Sequence, residues 1–208
     1  MLIDIYKYWF SNPKCWFSST YDLELKELFL NDYQNLSQDY EHLLRNLRYE
    51  MKNYNPNQLN MIKSNILGFI ILFDQIPRNI FRGTPQAYEN DILVSTFVKE
   101  LFKIIDNKFS FFTPDEFNFL ILPLIHLEDE TLETSNYAFE LTQKYWESLP
   151  QPLTKFANIK KNKMLINIIK HQDLLKKFGR YPLRNPILNR ESTIAETLYI
   201  SQNQNRMF

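Results

Sequence analysis

Glycine is nearly absent, with three in 208 residues. So few leave little material for the tight reversals of a sheet protein. No segment shows a sustained period-two alternation of apolar and polar residues either. Cysteine is down to one, Cys15, which excludes an internal disulfide and fits a reducing compartment. It lies in PKCWF with no histidine near it in sequence, and reads as a small buried apolar residue rather than a catalytic thiol. Net charge is lacking too: 24 basic side chains balance 24 acidic ones, so no global pull toward nucleic acid or an acidic membrane exists. The local run Lys160, Lys161, Lys163 reads as solvated lysines near a helix start. The longest unbroken apolar run, Ile66 to Phe73, falls far short of the ~20 residues a membrane span needs. The start, MLIDIYKYWF, shows no signal peptide. A soluble, cytoplasmic protein is the expectation.

What is there is apolar: 44% of residues, 15% aromatic, enough for one all-helical domain over 1–208 with a substantial core. Helical spacing runs throughout. Leu2, Ile5, Tyr6 and Trp9 form a first stripe. A helix or broken pair follows over 22–51, with Leu25, Leu28, Phe29, Leu36, Tyr40, Leu43, Leu44 and Leu47 facing inward. The NYNPN cluster at 53–57 predicts a turn, and 59–75 a helix apolar almost all round, hence buried on several sides. Thr84-Pro85, the box Thr113/Glu116 and the box Thr193/Glu196 mark helix starts; Gly179 marks an end. Helices are therefore expected near 85–108, 114–127, 130–148, 160–178 and 193–201, with Pro123 kinking or dividing the second of these.

Cations are unevenly placed. The chain has eight arginines and sixteen lysines, yet five arginines fall in two short segments without a lysine. QIPRNIFRGT carries Arg78, Asn79 and Arg82 just after Asp74; RYPLRNPILNREST carries Arg180, Arg184, Asn185 and Arg190. Solubility would be served by lysine, whereas a planar fork suits a carboxylate, a phosphate or a backbone carbonyl in fixed geometry. One reading is structural: the arginines tie off helix ends and pair with Asp74, Asp91, Glu128 or Glu191. In the other, the two segments converge and the remaining guanidinium groups face an anionic ligand. The block PLIHLEDE adds His126, Glu128 and Asp129, and His171 lies about two turns before Gly179. Their spacing matches no zinc signature, so no metal or cofactor is expected. General acid–base work by His126 or His171, with a carboxylate orienter, is chemically open. Trp9-Phe10 and Trp16-Phe17, around a proline turn, read as core closure rather than a stacking platform.

These blocks, in this order, resemble the bacterial family catalogued as domain of unknown function 924. The resemblance covers nearly the whole chain. It rests on the FW…WF start, Asp74 to Thr84, Pro123 to Asp129, the His171 helix running into FGRYPLRN, and Arg190 to Thr193. It implies a single domain built as a tetratricopeptide-like right-handed superhelix of stacked antiparallel helices, and no known activity. This chain departs from the family pattern at three places. It has His126-Leu127-Glu128 for His-Ser-Glu, Pro182-Leu183-Arg184-Asn185 for Pro-His-Arg-Asn, and Asn189 for a glycine. Those changes tilt the expectation from chemistry toward binding of an anionic small molecule or an acidic peptide end. A hydrolase or transferase acting on a phosphorylated or carboxylated substrate is the alternative, and a protein-interaction scaffold the third. Homodimerisation is left open.

Overall fold

In a computed structural model the protein is all-α; residues 1–53, 55, 58–105 and 111–203 are described, and no strand occurs among them. The helices are α1 (Leu2–Ser11), α2 (Asp22–Gln38), α3 (Tyr40–Lys52), α4 (Leu59–Ile70), α5 (Ile76–Ile80), α6 (Asp91–Ile105), α7 (Pro114–His126), α8 (Glu133–Ser148), α9 (Lys155–Phe178) and α10 (Ile194–Asn203). Most of the turn cluster at 53–57, and the expected helix residues 106–108, lie outside the described residues.

The chain gathers into two compact units, one of residues 1–82 and 86–123, the other of 83–85 and 124–208. Their boundary falls inside α7, at Pro123. In the first unit α1 and α3 pack on α4, and α2 packs on α5. A five-residue π-helical turn, Ile71–Gln75, joins α4 to α5, so that Leu59–Ile80 runs as one 22-residue helical stretch. By length and composition it could cross a membrane, but its most apolar window is 67% buried within the structure, as for a core helix. The aromatic start gathers on Phe119, with Trp9 fully buried but Phe17 exposed: Trp9, Phe10, Trp16 and Phe17 all place their rings within 6 Å of Phe119, centroid to centroid. Cys15 is fully buried, its thiol pushed up to about 11 by that burial, and its Sγ donates to the Asn12 carbonyl. Such a thiol is not a nucleophile at neutral pH.

Local signals set the helix starts. Thr113 and Glu116 form their box at 2.7 and 3.3 Å, and Thr193 and Glu196 theirs at 2.8 and 3.2 Å. Three boundaries differ from expectation. The helix foreseen at 85 is a single 3-10 turn, Pro85–Tyr88, after which the chain turns at Glu89 and Asn90 before α6. Both turn residues are held by the Tyr33 hydroxyl, which donates to Glu89 and accepts from Asn90. Next, α9 starts at Lys155 rather than 160, because Thr154 caps it by accepting from the Ala157 amide. Lastly, α8 starts at Glu133, behind a turn built on Asp129. Leu28 and Tyr40, expected inside, are exposed. Leu25, Phe29 and Tyr33 already fill the inward stripe of α2 at four-residue spacing, and the break at Asp39 resets the helical phase before Tyr40.

Gly68 fixes how closely α1 approaches α4. A Cβ there would stand 2.1 Å from the Leu2 carbonyl oxygen, a backbone atom that cannot swing away. Helix propensity alone would make Gly68→Ala stabilising by roughly 1 kcal/mol. The clash reverses the sign, and a net loss of about 1–3 kcal/mol is expected, read as a lower urea midpoint. A midpoint that rises would show that α1 can move off α4 at little cost.

Candidate functional site

The second arginine–proline segment is built on a left-handed helix end. Gly179 takes φ +71° and its amide closes on the Leu175 carbonyl at 2.8 Å, so the chain leaves α9 sharply at Arg180. A 3-10 turn over Pro182–Arg184 follows, and Asn189 adopts φ +52°. Asparagine is among the few residues that enter this region readily, so it can stand where the family pattern has glycine. The Arg190 amide then bonds the Asn185 carbonyl at 2.9 Å and folds the segment back on itself.

Each arginine here has a fixed partner. Arg180 presents its side edge to Glu196 through Nε (2.7 Å) and Nη2 (2.9 Å), with Nη2 also reaching the Glu191 carbonyl. This leaves Nη1 with no hydrogen-bond partner among the described residues. Arg190 presents its end to Glu128 through Nη1 (2.5 Å) and Nη2 (2.9 Å), while its Nε is buried without a partner. Arg184 is buried, donates to the His126 carbonyl at 2.8 Å and lies 4.8 Å over the Tyr181 ring. Tyr181 completes the cluster: its amide donates to Glu128 at 2.7 Å and its hydroxyl to the Ile125 carbonyl. Burial opposes ionisation of Glu128, yet Arg190, the Tyr181 amide and Arg184 outweigh it and hold the carboxyl below its usual range. Asn185 donates to Ser192, and its side-chain oxygen is buried without a partner.

The histidines and acids of PLIHLEDE separate into different jobs. His126 and His171 are both buried, their ring centroids 6.2 Å apart, with His171 edge-on to Tyr181 at 5.4 Å. The His171 Nδ1 sits 2.9 Å from the Asn167 carbonyl, which can only accept, so Nδ1 carries a proton. Glu128 holds Arg190 and the Tyr181 amide. Asp129 holds the turn before α8 through the Thr131 and Thr134 amides and the Thr131 hydroxyl.

In the first unit the π-helical turn brings Asp74, Gln75 and, one turn on, Arg78 and Asn79 to one buried place. Arg78 Nη2 bridges Asp74 (3.2 Å) and Asp91 (2.5 Å), and its guanidinium lies 5.4 Å from the Tyr88 ring centre. Burial works against its charge, but Asp91 and Asp74 more than offset that. Asn79 Nδ2 donates to the Gln75 carbonyl, and its oxygen accepts from Arg82. Arg82 grips Asp22, at the start of α2, through Nε (2.6 Å) and Nη2 (3.0 Å).

Of the acids expected to meet arginines, Asp74, Asp91 and Glu128 do so by carboxylate, and Glu191 by its backbone carbonyl. Reading the sequence missed Asp22, sixty residues from Arg82, and Tyr181. The latter stands in plain view between Arg180 and Pro182 but carries no pattern that assigns it three roles. Among the described residues no cluster of three or more His, Cys, Asp or Glu could hold a metal ion.

A family model described as a bacterial protein of unknown function (DUF924) matches residues 5–204. The solved structure of a protein of unknown function from Agrobacterium tumefaciens, ATU0120, is similar with a TM-score of 0.68. It is 26% identical, and the match covers 97% of this chain and 95% of that one. No curated protein matches.

Two carboxyls of the cluster are shifted down to about 2. For Glu196 the Arg180 fork does most of it, against burial, with help from the Thr193 amide and Asn185. For Asp129, burial is overcome by hydrogen bonds from Thr131 and Thr134. Their ordinary values are 4.5 and 3.8. A folded-state pKa below the unfolded one stabilises fully above the unfolded value, and that stability fades as pH falls through the folded one. The melting temperature is therefore expected to fall from about pH 4.5 to about pH 2. Glu196→Gln should melt lower at neutral pH and lose less across that window. An unchanged acid slope in this variant would show that the Arg180 tie carries no stability.

Proposed function

From the premise that the chain belongs to the bacterial family of unknown function DUF924, which brings no activity with it, we propose that it is a helical binding protein. Its second arginine–proline segment receives an anionic small molecule or the carboxylate end of an acidic peptide. One observation supports this most: Arg180 and Arg190 are each locked in plane by a two-point carboxylate grip that leaves hydrogens of Nη1 over, while Arg190 Nη2 also lies 3.5 Å from the Tyr181 carbonyl. Their side chains keep 29% and 25% of their surface open. Donors fixed before the ligand arrives lose little freedom on binding. A charge-assisted hydrogen bond to such donors contributes roughly 1.5–3 kcal/mol. The grips by Glu196 and Glu128 act, in this reading, as the support that aims the forks.

His171 favours a second reading, a hydrolase or transferase on a phosphorylated or carboxylated substrate. Its Nδ1–H donates to the Asn167 carbonyl, so in the neutral ring Nε2 is the basic nitrogen, and the His126 ring lies 6.2 Å away between centroids. The orienter is then that backbone carbonyl, since Glu128 and Asp129 are engaged elsewhere. Turnover of p-nitrophenyl phosphate or acetate that disappears in His171→Asn, with the fold intact, would establish it; equal rates in both proteins would reject it.

The binding reading is checked by thermal melting in inorganic phosphate and, separately, acetate at constant ionic strength. A saturable rise in melting temperature is expected, lost in Arg180→Gln and in Arg190→Gln. Because either change can strip a partner from a carboxylate, the paired variants Arg180→Gln/Glu196→Gln and Arg190→Gln/Glu128→Gln serve as the better-folded versions. A lowered melting point with the anion response intact would leave these arginines as structural ties and end the proposal.

A further inference from the structure

The long helix α9 has two faces. One, with Met164, Ile168, His171, Leu174 and Leu175, is buried in the second unit. The other is exposed and also apolar: Phe156 is 66% exposed, Ile159 44%, Ile166 51% and Ile169 41%. Ile159 and Ile166 are seven residues apart, and Asn162 and Ile169 follow each by three. That is the a/d spacing of a coiled-coil seam, about 15 Å long over these eleven residues. Lys163, Lys170 and Lys177, all exposed, recur at the flanking e position, again seven apart. Of the 24 residues of α9, seven are lysine and Asp173 is the single acid, in a chain whose net charge is zero.

We propose that this outward seam docks an acidic amphipathic helix of another protein. Isolated exposed apolar residues need no explanation, but a row in heptad register is a contact surface. The e-position lysines define the partner, which must bring carboxylates along the edge of its own apolar stripe. A second copy of α9 supplies a single acid, Asp173, which lies seven residues after Ile166 in the a row rather than along its edge. Antiparallel pairing would set e-position lysines against one another, and parallel pairing would set them against Asn158, Leu165 and Gln172. A bilayer fits poorly as well. An interfacial helix keeps its polar groups off the apolar face, whereas here Asn162 stands within the row and Lys163 and Lys170 lie beside the isoleucines.

The test uses the full chain and a labelled synthetic helix of about four heptads, apolar at a and d and glutamate at e and g, followed by fluorescence anisotropy. Saturable binding is expected. Lys163→Glu/Lys170→Glu should weaken it about tenfold or more and create binding to the matching lysine-bearing helix. Ile166→Ser/Ile169→Ser should remove it. All four side chains face solvent, so unchanged circular dichroism melts serve as the folding control. The proposal is overturned if the glutamate helix fails to bind, or if the lysine helix binds the unmodified chain as well. Retention of the protein on phosphatidylserine vesicles through Ile166 would instead make the face a membrane contact. A dimer in sedimentation equilibrium that Ile166→Ser dissolves would make it a self-contact.

Discussion

A helix end packed into an apolar interior must find partners for amide and carbonyl groups that the helix itself leaves unpaired. Much of the polar chemistry of this protein follows from that constraint. The last carbonyls of α7, those of Ile125 and His126, receive the Tyr181 hydroxyl and the Arg184 guanidinium. Arg184 thereby also sets a positive charge at the negative end of the helix. At helix starts the arrangement is reversed. Asp22 opens α2, Asp91 opens α6 and Glu196 stands in the first turn of α10, each a carboxylate at a positive end, and each gripped by an arginine from another element.

The two capping boxes show how one side chain serves twice. Glu116 closes its box with Thr113 and at the same time takes Lys63 at 3.0 Å and the Tyr6 hydroxyl at 2.6 Å. Glu196 closes its box with Thr193 and takes the Arg180 fork. Both carboxylates are buried, where an unpaired charge would be strongly disfavoured. Geometry separates the two cases. Lysine offers a point charge, whereas arginine offers a plane, and a plane can be held by one edge while another remains available. For that reason Arg180 makes its structural tie through Nε and Nη2 alone, whereas the single ammonium of Lys63 is taken up by Glu116.

What could be read from the sequence was local. Thr113/Glu116, Thr193/Glu196 and Gly179 each carry their boundary within a few residues, and all three stand where expected. Of the two readings of the arginine segments, the pairing with Asp74, Asp91 and Glu128 is seen in the structure. What escaped depends on distance or on competition. Nothing near Arg82 names Asp22, because that pairing arises only when α2 packs on α5. The π-helical turn at Ile71–Gln75 continues the apolar run that begins at Ile66, and no residue in it marks the change of helix type. At Pro85 a strong start signal lost to Tyr33, which pins the turn at Glu89 and Asn90 and delays α6. Thr154 caps α9 by accepting from the Ala157 amide, so the helix begins ahead of Lys160, Lys161 and Lys163.

Cation identity follows from the same division of labour. Arginine is used where a largely buried cation must meet an acceptor in fixed geometry, as at Arg78, Arg184 and Arg190. Lysine, more strongly hydrated, keeps its charge in water, and α9 sets five of its lysines on the exposed side. A helix with one apolar face in a core needs only polar groups on the other, and hydrated lysines alone would suffice for that. The isoleucines among them do not serve solubility, and the buried residues of α9 lie on the opposite face. One apolar face of α9 is accounted for inside the chain, and the other is the ground on which the docking proposal stands.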